Sequence, residues 1–222
     1  MANSHAPLLI DSTRLFERPT LVIETATTAC SVALFEFGQV RAASHAELGR
    51  GHAERLIGMI ADLPDGGRAA RIIVGCGPGS FTGIRVGIAA ARALGLGWGV
   101  PVAGYSTVAL IAARAFANKA TLTRLGVVQI GGHGEYFVQR FQREPFAMLS
   151  ELESLSLDAA ARSVDETHFA GSGSATLVAH RGSGLALGGS ADARDVMLLP
   201  TSFLCDAPAP RYGRGADAKP MQ

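Results

Sequence analysis

The first clear element along the chain is the apolar run Leu21-Val22-Ile23, which closes on Glu24 and gives way to the polar turn Thr25-Ala26-Thr27-Thr28. Cys30 to Phe37 then reads as a strand, Gly38-Gln39 reverses the chain, and Val40 to Glu47 returns, so the opening is a β-meander. Over residues 52–63 the period changes: Leu56, Met59, Ile60 and Leu63 fall at i, i+3, i+4 and i+7, the spacing of a helix with one apolar side. Pro64-Asp65-Gly66-Gly67 ends it. Ile72-Ile73-Val74 is a short buried strand, followed by the glycine-rich turn Gly75 to Gly83 and a helix over 81–97. Val100 to Ala103 reads as the next strand, and Ser106 as the N-cap of a helix reaching Asn118. Beyond that the pattern weakens. Gly126 to Ile130 and Glu135 to Phe141 read as strands around Gly131-Gly132-His133-Gly134. Residues 145–166 favour helix without a strong face, Phe169 to Gly173 reads as a strand end feeding a helix, and 180–195 as Gly/Ser-rich loop. Residues 1–19 read as a loose leader and 206–222 as an extended tail. No repeat is visible in the sequence.

Composition narrows the classes. The 222 residues carry 20 Lys and Arg against 19 Asp and Glu, a formal net charge of +1, which excludes a globally basic nucleic-acid binder. Apolar residues make up 48% and charged residues only 18%, so some apolar surface is expected to be covered by another chain. Cys30, Cys76 and Cys205 are odd in number and far apart, with no CxxC pair, which fits a reducing cytoplasm better than a disulfide framework. The N-terminal stretch lacks the charge and unbroken apolar run of a signal peptide. The most apolar segment, 86–104, is interrupted by Arg92 and carries several glycines, so it predicts a buried helix and strand rather than a membrane span.

The most specific chemical signal is Gly77-Pro78-Gly79-Ser80-Phe81-Thr82-Gly83 between a strand and a helix. Such a turn either permits close packing or leaves backbone N–H groups to hold an anion, with Gly77, Gly79, Ser80 and Thr82 as the candidate donors. It is neither a Walker A loop nor GxGxxG. In the helix that follows, Gly83, Gly87, Ala91, Gly95 and Gly99 recur every four residues. Each interior glycine costs about 1 kcal/mol relative to alanine, so the ridge implies a close backbone approach, within the chain, to a partner, or both. No HxxxH or HExxH spacing exists, and Ser80 is not in a GxSxG elbow. Cys76 reads as a small core residue. Glu24 alone is a weak magnesium signal.

Taken together, Ile23-Glu24-Thr25-Ala26-Thr27 with Cys30 to Leu34, then Gly51-His52-Ala53-Glu54-Arg55-Leu56, then Gly77 to Gly87 (GPGSFTGIRVG) resemble the TsaB family, also called YeaZ. The run Gly97 to Val108 fits as well, and Pro210-Arg211-Tyr212-Gly213-Arg214 is similar to a segment near that family's C-terminus. The resemblance implies an α/β fold of actin/Hsp70 (ASKHA, ribonuclease H-like) type, with two lobes of mixed sheet flanked by helices: 20–118 as the first lobe and 119–205 as a smaller second one. It implies a non-catalytic subunit of the machinery that makes N6-threonylcarbamoyladenosine in tRNA. The implied partners are a catalytic TsaD-type subunit, a TsaE-type ATPase and, through the complex, tRNA, with TsaC supplying threonylcarbamoyl-AMP. No membrane is implied.

Where the catalytic paralogue carries an His-x-x-x-His metal pair, this chain places Thr107 and Ile111. The expectation is therefore no metal, no transfer activity in isolation, and no cofactor held by this chain alone, with ATP or ADP at a subunit boundary of the complex. Two departures from the family pattern bear on nucleotide binding: Glu24 stands where Asp is usual, and Gly131-Gly132-His133 where Asp-Ala-Arg is usual. Helices 52–63 and 81–97 are expected to pair with the partner's equivalents through Leu56, Met59, Leu63, Gly87 and Ala91, with Arg55 and Arg85 on the rim. Alone, the same face would form a homodimer. The competing readings are a metal-dependent glycoprotease-like or carbamoyltransferase enzyme and a sugar-kinase-like ATP-binding protein of the same superfamily.

Overall fold

A computed structural model describes residues 15–212. The meander is as expected: β1 (Thr20–Glu24), β2 (Ala29–Glu36) and β3 (Gln39–Glu47) are antiparallel neighbours. β1 and β2 are buried almost throughout, as central strands must be, whereas β3 is largely exposed at the edge. Helix α1 (His52–Ala61) leads to β4 (Arg71–Gly75), which pairs parallel with β1. Helix α2 (Phe81–Trp98) leads to β5 (Val102–Tyr105), parallel with β4. β5 lies two residues later than the pattern predicts. Ser106 does precede α3 (Thr107–Asn118), but its side chain makes no capping hydrogen bond.

Side chains alternate across this sheet. Leu21, Ile23, Val32, Leu34, Ile72 and Val74 join α1 and α2 on one side. Val22, Ala33, Phe35 and Ile73 join α3 on the other. Leu15 and Phe16 belong to that second cluster, with the Phe16 and Phe35 ring centroids 5.0 Å apart. The end of the expected leader is therefore core; residues 1–14 lie outside the described part.

The second sheet begins with β6 (Arg124–Ile130) and β7 (Tyr136–Gln142), antiparallel. β8 (Ala147–Met148) and β9 (Glu153–Leu155) share the outer edge of β7. Helix α4 (Leu157–Ser163), capped by the Ser156 hydroxyl, leads to β10 (His168–Ala170), parallel with β6. Helix α5 (Ser174–Arg181) leads to β11 (Leu185–Gly188), parallel with β10. This is the first lobe's plan again: three antiparallel strands, a helix, a parallel strand, a helix and a parallel strand. The ribonuclease H-like topology of the actin/Hsp70 fold is thus present twice, although no sequence repeat betrays it. α3 lies between the two sheets, and α4 and α5 cover the far face of the second.

After β11 the chain goes back to the first lobe. Ala191, Ala193, Val196 and Leu199 pack in the cluster between the sheets, and β12 (Leu204–Cys205) adds antiparallel to β5. Residues 206–212 then run over the glycine-rich turn. Arg92 donates to the Pro208 carbonyl at 2.7 Å, the Arg211 N–H to the Cys76 carbonyl at 2.8 Å, and Arg85 to the Tyr212 hydroxyl at 2.9 Å. The sequence-based boundary at 205 falls inside this returning segment. The described part of the expected tail is a strap on the first lobe.

Candidate functional site

The ends of β1, β4 and β5 meet at Glu24. Its side chain has no exposure. Oε1 accepts the Ala26 N–H at 2.7 Å, and Oε2 accepts the Thr107 hydroxyl at 3.1 Å. The Thr107 oxygen in turn accepts the Gly77 N–H at 3.2 Å, while the Thr107 N–H donates to the Gly77 carbonyl at 2.9 Å. Burial raises the Glu24 carboxyl above its usual range, against the lowering effect of these donors. Tyr105 beside it is also fully buried; burial, then the Glu24 charge, raises its phenol. Pattern reading set Glu24 aside as a single acid. What makes it central is that β5 and α3 deliver Tyr105 and Thr107 to it from more than 80 residues away.

The glycine-rich turn faces this seam. The Ser80 N–H donates to the Ala26 carbonyl at 2.7 Å, and the Ser80 hydroxyl accepts the Gly83 N–H at 3.1 Å. Gly79 lies against the Ala26 carbonyl, where a Cβ would collide. Gly77 and Ser80 therefore direct their N–H groups at the chain's own carbonyl and hydroxyl oxygens, and Thr82 is exposed on the other side. The cradle expected at Gly77, Gly79, Ser80 and Thr82 is assembled as an internal joint between β1, β4, α2 and α3.

The expected partner-facing residues divide sharply. Leu56, Met59 and Leu63 are 0%, 2% and 5% exposed and pack into the first lobe's core. Gly87 and Ala91 are buried under the same helix layer, with Gly87 against the Thr25 side chain. Only Arg55 and Arg85 reach the surface. The periodic stripe is the face each helix turns to its own sheet, so these five residues are corrected from partner contacts to core. The outward faces carry Ala53, Ile57 and Ala61 on α1 and Ala89, Ala93 and Leu96 on α2. Ile57 is 54% and Leu96 87% exposed. The two helices lie side by side on one face of the sheet. Arg85 stands at the edge, its guanidinium 3.5 Å from the Phe81 ring centroid.

At the positions where the resemblance puts metal ligands, Thr107 is engaged with Glu24 and Gly77, and Ile111 is an apolar core residue. Among the described residues, no group of three His, Cys, Asp or Glu is placed to hold a metal ion, and no helix is long and apolar enough to cross a membrane. Burial pushes the Cys76 thiol up to about 12, consistent with a core residue and not a nucleophile.

A family model described as TsaD, tRNA N6-adenosine threonylcarbamoyltransferase, matches residues 43–168, more than half of the chain. The tRNA threonylcarbamoyladenosine biosynthesis protein TsaB of Escherichia coli is 39% identical over 130 residues, 56% of this chain and 55% of that protein. TsaB of Haemophilus influenzae is 37% identical over 101 residues, 43% of this chain and 42% of that one. The chain thus spans about half the length of the curated relatives it matches. Among solved structures, a Pseudomonas aeruginosa protein described as similar to peptidase YeaZ superposes with a TM-score of 0.71 at 25% identity, covering 88% of this chain and 99% of that one. YeaZ from the same organism gives 0.69 at 25% identity, covering 83% and 91%. With the family's fold, its glycine-rich turn and these relatives in agreement, the chain belongs to the TsaD family and, within it, to the TsaB (YeaZ) branch.

Proposed function

We propose that this protein is a non-catalytic scaffold subunit for N6-threonylcarbamoyladenosine formation on tRNA, holding a TsaD-type catalytic subunit against the outward faces of α1 and α2. The observation that carries this reading is the pair of adjacent helices whose inner faces are filled by their own sheet, while Ile57 and Leu96 stand in solvent with Ala53, Ala61, Ala89 and Ala93, among the exposed charges of Glu54, Arg55, Arg85 and Arg92. Small residues beside two aliphatic side chains, with charges around them, suit helix-on-helix packing, where close backbone approach compensates for modest side-chain volume and the charges form the rim. The relatives' printed role in threonylcarbamoyladenosine biosynthesis supplies the pathway. The Thr107 and Ile111 positions support a role without metal chemistry in this chain.

In this reading the protein works in the cytoplasm and forms a homodimer through the same face when its partner is absent. It meets tRNA and a TsaE-type ATPase only within the complex. It binds no nucleotide alone, because Gly77, Ser80 and Gly83 already donate within the chain; ATP or ADP sits at a subunit boundary of the complex. The test is co-purification of the full chain with a TsaD-type subunit, paired with a threonylcarbamoyl-transfer assay. Ile57→Asp and Leu96→Asp are expected to keep the monomer's melting profile, abolish co-purification and remove the stimulation of transfer. Transfer by this chain without its partner, or pairing that survives both substitutions, overturns the proposal.

A further inference from the structure

A cavity of about 260 Å³ opens between the C-terminal half of α3 and the end of β11, away from both helix faces and from the Glu24 seam. Its apolar wall is Ile111, Ala115 and Leu187, and its polar lining includes Arg114 and Lys119. Gly188 and Gly189 complete it. Both have positive φ, 63° and 98°, and neither has an atom within 4 Å of where a side chain would begin, so backbone alone borders the open space there.

The two cations are held differently. Arg114 pairs through Nη1 with Asp195 at 3.0 Å. Lys119 has no carboxylate partner among the described residues: its ammonium lies 3.1 Å from Nε2 of His168. Burial, then the Lys119 charge, lowers the His168 pKa. An ammonium can only donate, so Nε2 faces it as a hydrogen-bond acceptor, which orients the Lys119 head without bringing a negative charge to it. Just past the end of α3, Arg143 donates to the carbonyl oxygens of Lys119, Ala120 and Leu122, which fixes the backbone that carries Lys119. A half-enclosed cavity with an apolar wall and an uncompensated, pre-oriented cation is the usual form of a small-molecule site.

The geometry points to a binding site for a compact organic anion, a carboxylate or phosphomonoester, whose charged group meets Lys119 and Arg114 and whose carbon frame lies on Ile111, Ala115 and Leu187. Because α3 lies between the sheets and Gly188 ends the second one, an occupant would touch both lobes at their junction. The site does not depend on the proposed scaffold role.

The full chain is titrated with ribose 5-phosphate and, separately, with valerate, following the amide resonances of Gly188 and Gly189 together with thermal unfolding. Saturable shifts at those glycines with at least one probe are expected. Lys119→Ala should weaken that binding at least tenfold, Lys119→Arg should retain it, and Ala115→Leu should abolish it by filling the cavity. Should Ala115→Leu fail to fold, the Lys119 pair still decides. Saturation by neither probe, or affinity unchanged in Lys119→Ala, overturns the inference.

Discussion

Glu24 is kept out of water by the same residues that hydrogen-bond it, and its titration has a definite sign. Its folded-state pKa lies above the ordinary glutamate value of about 4.3, so between those two values the folded chain holds a proton that the unfolded chain has lost. Glu24 thus contributes stability at low pH that is lost as pH rises through the folded pKa. Glu24→Gln keeps the shape without the titration, and calorimetry should show its Tm falling less than that of the parent as pH rises above the ordinary glutamate range. Thr107→Val removes the oxygen that joins Glu24 to Gly77, leaving the Gly77 N–H without its acceptor. Denaturant titration should show a loss of about 1–3 kcal/mol. Nothing near Glu24 in the sequence announces this joint, because its members are 24, 77, 105 and 107 and no local pattern connects them.

The glycine ridge of α2 was legible as a demand for close approach, and the approach turns out to be internal: a methyl at Gly83 or Gly87 would run into Thr25, and one at Gly95 into Val102. Gly97, in the same helix, faces open space. Gly87→Ala should therefore destabilise by about 1–3 kcal/mol through overpacking, while Gly97→Ala should stabilise by up to about 1 kcal/mol through helix propensity, both read from urea midpoints. The docking stripe was misjudged for a general reason. Period 3.6 locates an apolar face, but it does not say whether that face meets the helix's own sheet or another molecule. Leu56 and Met59 made the strongest pattern because they serve the core; Ile57 and Leu96 break the pattern and are therefore the exposed ones. The strands β8 and β9 of the second lobe, and β12 of the returning segment, are two or three residues long, too short for alternation to register, and β11 hides among glycines.

At the level of the whole molecule, Asp192 gathers three parts of the chain. Its carboxylate meets Arg194 at 2.6 Å and His45 of β3 at 3.0 Å, with Arg114 of α3 at 4.0 Å. Burial alone would raise its pKa, but the Arg194 hydrogen bonds, with the Arg194 and His45 charges, outweigh it and the net shift is downward. Its stabilising contribution is present at neutral pH and is lost as pH falls below the ordinary aspartate range, opposite in sign to Glu24. Asp192→Asn should unfold at a lower Tm at pH 7 and lose part of the parent's acid-side decline, as followed by circular dichroism. The return of residues 191–212 also bears on biosynthesis. Ser31 of β2 accepts the Ala193 N–H, and β5, already paired with β4, gains its second neighbour only from residues 204–205. The first lobe leaves the ribosome early but must wait, with an open margin, until the whole of the second has been translated. A nascent chain halted before residue 190 should thus be digested in its first hundred residues by a protease that spares the released protein.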